Sequence, residues 1–319
     1  MLDQLMQVWR ARHVLLVGGT DVLCACFQAL LTELGARPAR IPPSASSETL
    51  CRAMTSGRIS AVIVPRAHAL TPEKDAARQL FASDALLTEV REAGIPLLIL
   101  CSDAPVYRAQ PRPWLAEEDD ALGGQTREGL LQSLVQLYAE GAARGLLGDP
   151  VNALIVRHPP LLGTDAPAVA QYTRWCHSLL AGDVVTVEQP DRQGVFAHPL
   201  DTACGALALG ARSLAGDLGQ TRVFNLATGP EGLTSNRGAA LRFIRRAGGT
   251  RPIAEREPPA PDTPPLLCGA RARLLGGIRP LLGAEEALSL LLSLERARAA
   301  GTADAEMQRQ AHDYLLRLP

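Results

Sequence analysis

The chain has 319 residues, of which 47% are hydrophobic and 20% charged, so it can bury a sizeable core and is not a disordered chain. Its 32 basic and 33 acidic side chains leave a formal charge of −1, which argues against a general nucleic-acid-binding surface or a polybasic membrane surface. No apolar run reaches the roughly 18–20 residues that span a bilayer, and the N-terminus does not read as a signal peptide. Seven cysteines without paired CxxC spacing favour the cytoplasm over a disulfide framework.

Short apolar runs alternate with amphipathic segments through the first half of the chain. The runs are typical of strands buried on both faces, and the segments between them have helical spacing. Strands are predicted at 13–19, 38–41, 59–64, 95–100 and 152–156, and helices at 2–12, 22–35, 47–56, 72–93 and 125–146. Strands that alternate with helices of this length form βαβ units, so the sequence predicts an α/β fold with a doubly wound, Rossmann-like parallel sheet.

The pattern is less regular after residue 163. Helices are predicted at 166–181, 200–215, 235–247, 284–299 and 303–317, and strands at 183–188, 194–198 and 222–227. We therefore predict a Rossmann-like core formed by 1–157 and 196–228, and a smaller mixed substrate-side cap with closing helices formed by 158–195 and 229–319. The first helix and the closing helices either cover this chain's own core or support a homodimer.

Six short motifs follow one another along residues 13–250. They are the Gly18-Gly19 turn, 61–68 (AVIVPRAH), 100–103 (LCSD), 113–119 (PWLAEED), 196–203 (FAHPLDTA) and 223–229 (VFNLATG). In order and spacing they resemble the extended short-chain dehydrogenase/reductase superfamily, in particular its dTDP-4-dehydrorhamnose reductase and NAD-dependent epimerase/dehydratase group. The resemblance implies a dinucleotide turn, a catalytic Ser/Thr, a Tyr-x-x-x-Lys pair for acid–base catalysis, and nucleotide sugars or specialised metabolites as substrates.

The chain departs from this family at the acid–base pair. The matching stretch begins at Gly123 and ends at Arg127, so glycine replaces the tyrosine and arginine replaces the lysine. The only lysine is Lys74, and no tyrosine is followed four positions later by lysine. The sequence therefore predicts loss of the standard redox chemistry and no cofactor, with NADP as the remaining alternative.

The glycine turn also departs from the family. Gly18 and Gly19 suit a tight turn with close backbone approach to a pyrophosphate, but Asp21 and Cys24 occupy the family's later glycine positions. At about 4 Å and an effective dielectric near 20, the Asp21 charge would cost about 4 kcal/mol against a phosphate. Asp21 also suits a helix N-cap. Arg40 either binds a 2′-phosphate or lies exposed.

The candidate catalytic residues lie at strand ends, where open α/β sheets bind ligands. Ser102 retains the family's hydroxyl, and Asp103 either takes part or caps the next turn. Tyr107 could supply a phenol from another direction, and Arg127 could clamp a phosphate or carboxylate or form a surface salt bridge. His158 either lines the substrate cleft or is structural. No cysteine or histidine spacing indicates a metal site.

Three functions fit these observations. The first is an enzyme that binds a small metabolite or nucleotide-sugar-like substrate and catalyses non-redox proton transfer, namely isomerisation, elimination or cyclisation. The second is a catalytically inactive relative that binds or regulates a partner protein. The third is an atypical NADP-dependent reductase or epimerase.

Overall fold

The computed structural model describes most of the chain. The described residues are 1–319 without 20, 43, 57, 66–75, 109–114, 124–129, 131, 132, 135, 136, 139, 143, 146–150, 165–168, 220, 221, 228–232, 250, 251 and 258–265. The helices are α1 Leu2–Trp9, α2 Val22–Glu33, α3 Ser47–Ser56, α4 Ala76–Glu92, α5 Ala170–Ala181, α6 Pro199–Ala215, α7 Asn236–Arg246, α8 Ala270–Gly276, α9 Ala284–Ala299 and α10 Ala303–Leu315. The described residues between 130 and 142 are helical as well.

The strands form one large sheet and three small ones. They are β1 His13–Val17, β2 Arg37–Ile41, β3 Ala61–Val64, β4 Leu98–Asp103, β5 Leu115–Ala116, β6 Ala153–His158, β7 Val185–Glu188, β8 Gln193–Val195, β9 Val223–Asn225, β10 Leu233–Ser235, β11 Ile253–Arg256 and β12 Leu266–Leu267. The large sheet has the order β2-β1-β3-β4-β6-β9 and is parallel throughout. The predicted doubly wound α/β fold is thereby confirmed.

The order of the strands reverses next to β1. The chain moves from β1 to β2 on one side of the sheet, then returns to β3 and continues to β4 and β6 on the other. In open α/β sheets the crevice outside the carboxyl ends of the strands at such a point is where ligands bind. The opening turn and the ends of β4 and β6 all lie at this edge.

Side chains on the central strands alternate between two cores. Ile99 and Cys101 of β4 pack with the core on the side of α2 and α6, while Leu98 and Leu100 pack with the core on the side of α3 and α4. Because successive strand side chains point to opposite faces, this alternation also determines the face of each polar residue that ends the strand.

The terminal helices cover this chain's own core. Leu5 and Trp9 of α1 are buried, and the Trp9 indole donates a hydrogen bond to the carbonyl of Leu207 in α6 at 3.1 Å. α10 packs along α2. Gly163, with φ +79°, brings the segment after β6 so close that an added Cβ would lie 3.2 Å from Leu291 of α9. A homodimer stays a prediction, as does the proposed division into two domains.

Several boundaries differ from the prediction in a way that matters for the site. β4 was expected to end at 100 and β6 at 156, but β4 continues through Ser102 and Asp103, and β6 through Arg157 and His158. Polar side chains ended the apolar pattern, whereas the parallel ladder depends on backbone groups. The sequence analysis also missed α8 and the short strands β5, β10, β11 and β12. In the described part of the chain, no helix is long and apolar enough to cross a membrane.

Candidate functional site at the carboxyl ends of β4 and β6

The ends of β4 and β6 bring four polar residues into register. Ser102 pairs with Arg157, and Asp103 pairs with His158. Registered residues of neighbouring parallel strands point to the same face, so Ser102 and Arg157 face the side of α3 and α4, whereas Asp103 and His158 face the side of α2. The sequence-predicted residues therefore form two adjacent groups at one sheet edge.

Asp103 and His158 form a direct pair. The His158 Nδ1 lies 3.2 Å from the Asp103 Oδ1 and 2.9 Å from the carbonyl oxygen of Pro159. A carbonyl can only accept, so Nδ1 carries a proton and donates it. The Nε2 atom is buried and has no hydrogen-bond partner among the described residues. A neutral ring in this tautomer presents the Nε2 lone pair, which is the atom of a general base.

Asp103 does not act as the helix cap that the sequence left open. It occupies the N-cap position of the 3-10 turn Ala104–Val106, but its side chain makes no capping hydrogen bond there. Its carboxylate instead lies 3.2 Å from the His158 Nδ1. Asp103 and His158 lie 55 positions apart in the sequence, so only the register of the two strands reveals that they form a pair.

Ser102 is nearly buried, with 6% of its surface exposed, and its Oγ has no hydrogen-bond partner within the described ranges. No hydrogen bond in those ranges joins Ser102 to His158. Arg127, predicted to clamp an anion, lies outside the described residues.

Tyr107 and Arg157 belong to a buried polar network on the other face. The Tyr107 hydroxyl donates to Asn225 Oδ1 at 2.6 Å and accepts from Arg157 Nη1 at 2.8 Å. Arg157 also donates to the Glu118 carbonyl at 2.9 Å and to the Glu140 carboxylate at 3.1 Å. Burial raises the pKa of Tyr107 despite the adjacent Arg157 guanidinium. The phenol oxygen is thus engaged by both Asn225 and Arg157, which sets it apart from the Nε2 of His158, unpartnered among the described residues.

Sequence reasoning missed Asn225, Glu118 and Glu140 as parts of this network. One Glu118 carboxylate oxygen accepts from the Asn225 backbone N–H at 2.9 Å, and the Asn225 side chain donates to the Ala116 carbonyl at 2.9 Å. Asn225 and Glu118 both lie in motifs that carry the family resemblance, which was the available signal. Glu140 had no such signal.

The opening turn keeps part of a dinucleotide site. Among the described residues, a Cβ on Gly19 would meet only the Asp21 Oδ2, at 4.0 Å, so these residues leave the backbone there open to close approach. A Cβ on Gly18 would lie 3.0 Å from the Cys24 thiol, so Gly18 is required for packing. Asp21 is the N-cap of α2, and its Oδ1 accepts from the Cys24 N–H at 2.9 Å. The backbone of the turn thus fits a pyrophosphate at a helix N-terminus, and the Asp21 carboxylate opposes its charge.

Two buried cysteines, Cys24 and Cys101, show on which face of the sheet this turn lies. Burial and the Asp21 charge raise the pKa of Cys24 to about 11, although the charge of Arg40, exposed near the end of β2, acts in the opposite direction. The pKa of the Cys101 thiol is raised by burial and, to a smaller extent, by the charges of Asp103 and Asp21. Cys24 of the turn and Cys101 of β4 are buried in the same core, on the side of α2, and Asp103 shares the face of Cys101, so the turn and the Asp103–His158 pair lie on one face of the sheet. Among the described residues, no group of three His, Cys, Asp or Glu side chains is arranged to hold a metal ion.

Solved structures of sugar-nucleotide enzymes share this fold. UDP-glucose 4-epimerase from Thermotoga maritima, solved with UDP-glucose, has a TM-score of 0.71 and 17% identity, and the match covers 90% of this chain and 100% of that one. UDP-glucose 4-epimerase from Brucella ovis, in complex with NAD, has a TM-score of 0.70 and 20% identity over 87% and 96% of the two chains. dTDP-glucose 4,6-dehydratase from Bacillus anthracis, also with NAD, has a TM-score of 0.71 and 12% identity over 91% and 98%.

At these identities the comparison establishes the fold. It agrees with the resemblance to NAD-dependent epimerases and dehydratases that the motifs indicated. No protein-family model and no curated protein matches the sequence. The expectation that no cofactor is involved is contradicted, because proteins with this fold are solved with NAD bound. That expectation weighed the Asp21 carboxylate and the absence of a tyrosine at Gly123, and it neglected the backbone at Gly19.

Proposed function

We propose that this chain binds a sugar nucleotide over the carboxyl ends of β4 and β6, and that His158, oriented by Asp103, transfers a proton at a sugar carbon. The observation that carries the proposal is the buried His158 ring, whose Nδ1 is held by Asp103 and Pro159 while its Nε2 has no partner in the described chain. This is the orientation that a general base needs. The substrate class is supported by the shared fold with UDP-glucose and dTDP-glucose enzymes.

In the proposed mechanism, the Nε2 lone pair takes a proton from a sugar carbon next to a carbonyl. The resulting imidazolium is stabilised by the charge of the Asp103 carboxylate, which lies 3.2 Å from Nδ1. His158 then returns the proton to a neighbouring carbon in an isomerisation, or to a departing hydroxyl, which leaves as water, in an elimination. Ser102 is the proposed donor to the substrate oxygen, and Arg127 the proposed contact for a substrate anion. These groups would serve where the family uses its Tyr-x-x-x-Lys pair.

We further propose that a nicotinamide dinucleotide binds at the opening turn. Gly18, Gly19 and the first N–H groups of α2 would hold its pyrophosphate, with Asp21 lowering the affinity and Arg40 at the ribose end. When bound, this group supplies a hydride acceptor. The seven free thiols fit a reducing compartment, so we place the protein in the cytoplasm.

The test is proton exchange with solvent. The protein is incubated in D2O with dTDP-4-dehydro-6-deoxyglucose, a sugar nucleotide whose ring carbonyl makes the neighbouring C–H acidic, with and without NAD⁺ or NADP⁺. Deuterium at the sugar ring is followed by mass spectrometry, and product by NMR. We expect incorporation at one carbon, and a loss of about 100-fold or more in His158→Gln, as is typical when a general base is removed.

His177→Gln is the matched control. The His177 Nε2 pairs with Glu295 Oε2 at 3.0 Å, which is the same kind of contact, but it lies on α5 and α9 away from the strand ends. Exchange should be unchanged in this variant. Exchange that survives in His158→Gln would refute the assigned role. Calorimetric binding of a sugar nucleotide with no exchange in the wild-type protein would replace the enzyme by the non-catalytic binding protein that the sequence left open.

A further inference from the structure

Two neighbouring residues of β6 hold both ends of the short turn that follows β4. On one face, His158 contacts Asp103 at 3.2 Å. On the other face, Arg157 donates to the Tyr107 hydroxyl at 2.8 Å. Asp103 and Tyr107 are the N-cap and C-cap of the 3-10 turn Ala104–Val106, and the Tyr107 N–H bonds the Ala104 carbonyl at 3.2 Å. A displacement of Tyr107 therefore displaces the turn that begins at Asp103.

Arg157 is the fixed point of this arrangement. Its side chain is 1% exposed, and its Cζ lies 4.8 Å from the centre of the Tyr107 ring. One terminal nitrogen donates to both Tyr107 and the Glu118 carbonyl, while the other donates to the Glu140 carboxylate. A buried guanidinium that moves away from such partners leaves an uncompensated charge, so this geometry is strongly maintained.

We infer that Arg157 is a positioning residue for the Asp103–His158 pair. Through the Tyr107 hydroxyl it holds the 3-10 turn, and the turn holds the Asp103 carboxylate within hydrogen-bond distance of His158. This inference rests on the proposed function, since it explains how the proposed base is oriented. It gives the buried phenol a defined role without substrate contact.

The test uses Tyr107→Phe, which removes one hydroxyl and keeps the ring. The first readout is the NMR chemical shift of the Nδ1–H group of isotope-labelled His158 at one fixed pH. We expect this shift to change, because the Asp103 carboxylate moves away from the proton that Nδ1 carries. The second readout is the exchange assay, where kcat should fall severalfold and KM should stay constant.

Two substitutions at position 157 extend the test. Arg157→Lys keeps the charge but lacks the planar fork that contacts Tyr107 and Glu140 together. Arg157→Met removes the charge. We expect the change in the His158 Nδ1–H chemical shift to be smaller in Arg157→Lys than in Arg157→Met. If Arg157→Met does not fold, Tyr107→Phe and Arg157→Lys still decide the question.

Tyr172→Phe is the control. The Tyr172 hydroxyl donates to the buried Asn236 at 2.9 Å, so the same atom is lost from a similar environment without contact with the 3-10 turn. The His158 Nδ1–H chemical shift should not change in this variant. A Tyr107→Phe protein that keeps the wild-type Nδ1–H chemical shift and kcat, while Asp103→Asn changes both, overturns the inference. If Asp103→Asn also changes neither, the proposed function itself fails.

Discussion

Asp21→Asn tests the opening turn with a minimal change of structure. Asparagine is as good an N-cap as aspartate, so the hydrogen bond to the Cys24 N–H and the start of α2 should survive. The change removes one negative charge from the position that faces a pyrophosphate. Any gain in dinucleotide affinity therefore reports the charge and not the helix.

The magnitude follows from the position of the carboxylate. Asp21 Oδ2 lies 4.0 Å from the point where a Gly19 side chain would begin, which is the space that close approach of a phosphate requires. Two like charges about 4 Å apart repel by about 1 kcal/mol in bulk water and about 4 kcal/mol at an effective dielectric of 20. Since about 1.4 kcal/mol is tenfold, the substitution should tighten NAD⁺ binding by about fivefold to a thousandfold.

The assay is titration calorimetry with NAD⁺ and NADP⁺ at low and high salt. The gain should shrink as salt rises, because exposed charges are screened over about 10 Å at 0.1 M. Asp3→Asn is the control, since it makes the same change of charge in the first turn of α1. Equal affinities of wild type and Asp21→Asn, within twofold and at low salt, would refute the electrostatic reasoning about this turn.

The remaining predictions concern stability. Burial lowers the pKa of His198 from 6.5 to about 3, so the stability this residue contributes above pH 6.5 is lost as the pH falls toward 3. Burial raises the pKa of Asp201 from 3.8 to about 6, so its contribution is present below pH 3.8 and is lost as the pH rises through 6. Between pH 4 and 6, His198 makes the free energy of unfolding rise with pH and Asp201 makes it fall, so the two contributions oppose each other. The free energy of unfolding, measured with urea and plotted against pH, should therefore have a slope that is more negative by about 1.4 kcal/mol per pH unit in His198→Asn than in the wild type. In Asp201→Asn the slope should be more positive by about the same amount. Unchanged slopes would contradict the assignment. A Cβ on Gly210 would lie 2.8 Å from Ile99 Cδ1 and 3.1 Å from Trp9 Cζ2, so Gly210→Ala should lower the free energy of unfolding by about 1–3 kcal/mol. A decrease in the free energy of unfolding of less than about 0.5 kcal/mol would show that the neighbouring side chains move to make room for the added methyl group.

The sheet could be predicted because its central strands are apolar on both faces. The four buried residues of β3 and the first residues of β4 are continuous apolar runs, which predict a buried strand without knowledge of the strands that pair with it. β5 and β12 have two residues each and no such signal, since their pairing depends on a long chain separation. The dinucleotide turn was interpreted from its side chains, yet a pyrophosphate contacts backbone. The accessibility of Gly19 became visible only with coordinates.

The candidate site shows where sequence reasoning could have gone further. Along β4, Ile99, Cys101 and Asp103 share one face, and Ser102 lies on the other, which follows from strand alternation alone. What alternation cannot supply is the register that places His158 opposite Asp103. The same register places Arg157 on the opposite face, where a charge must be paired because water is excluded. A polar residue at the end of a strand thus faces either the cleft or the buried side, and the residue paired with it on the neighbouring strand faces the same side.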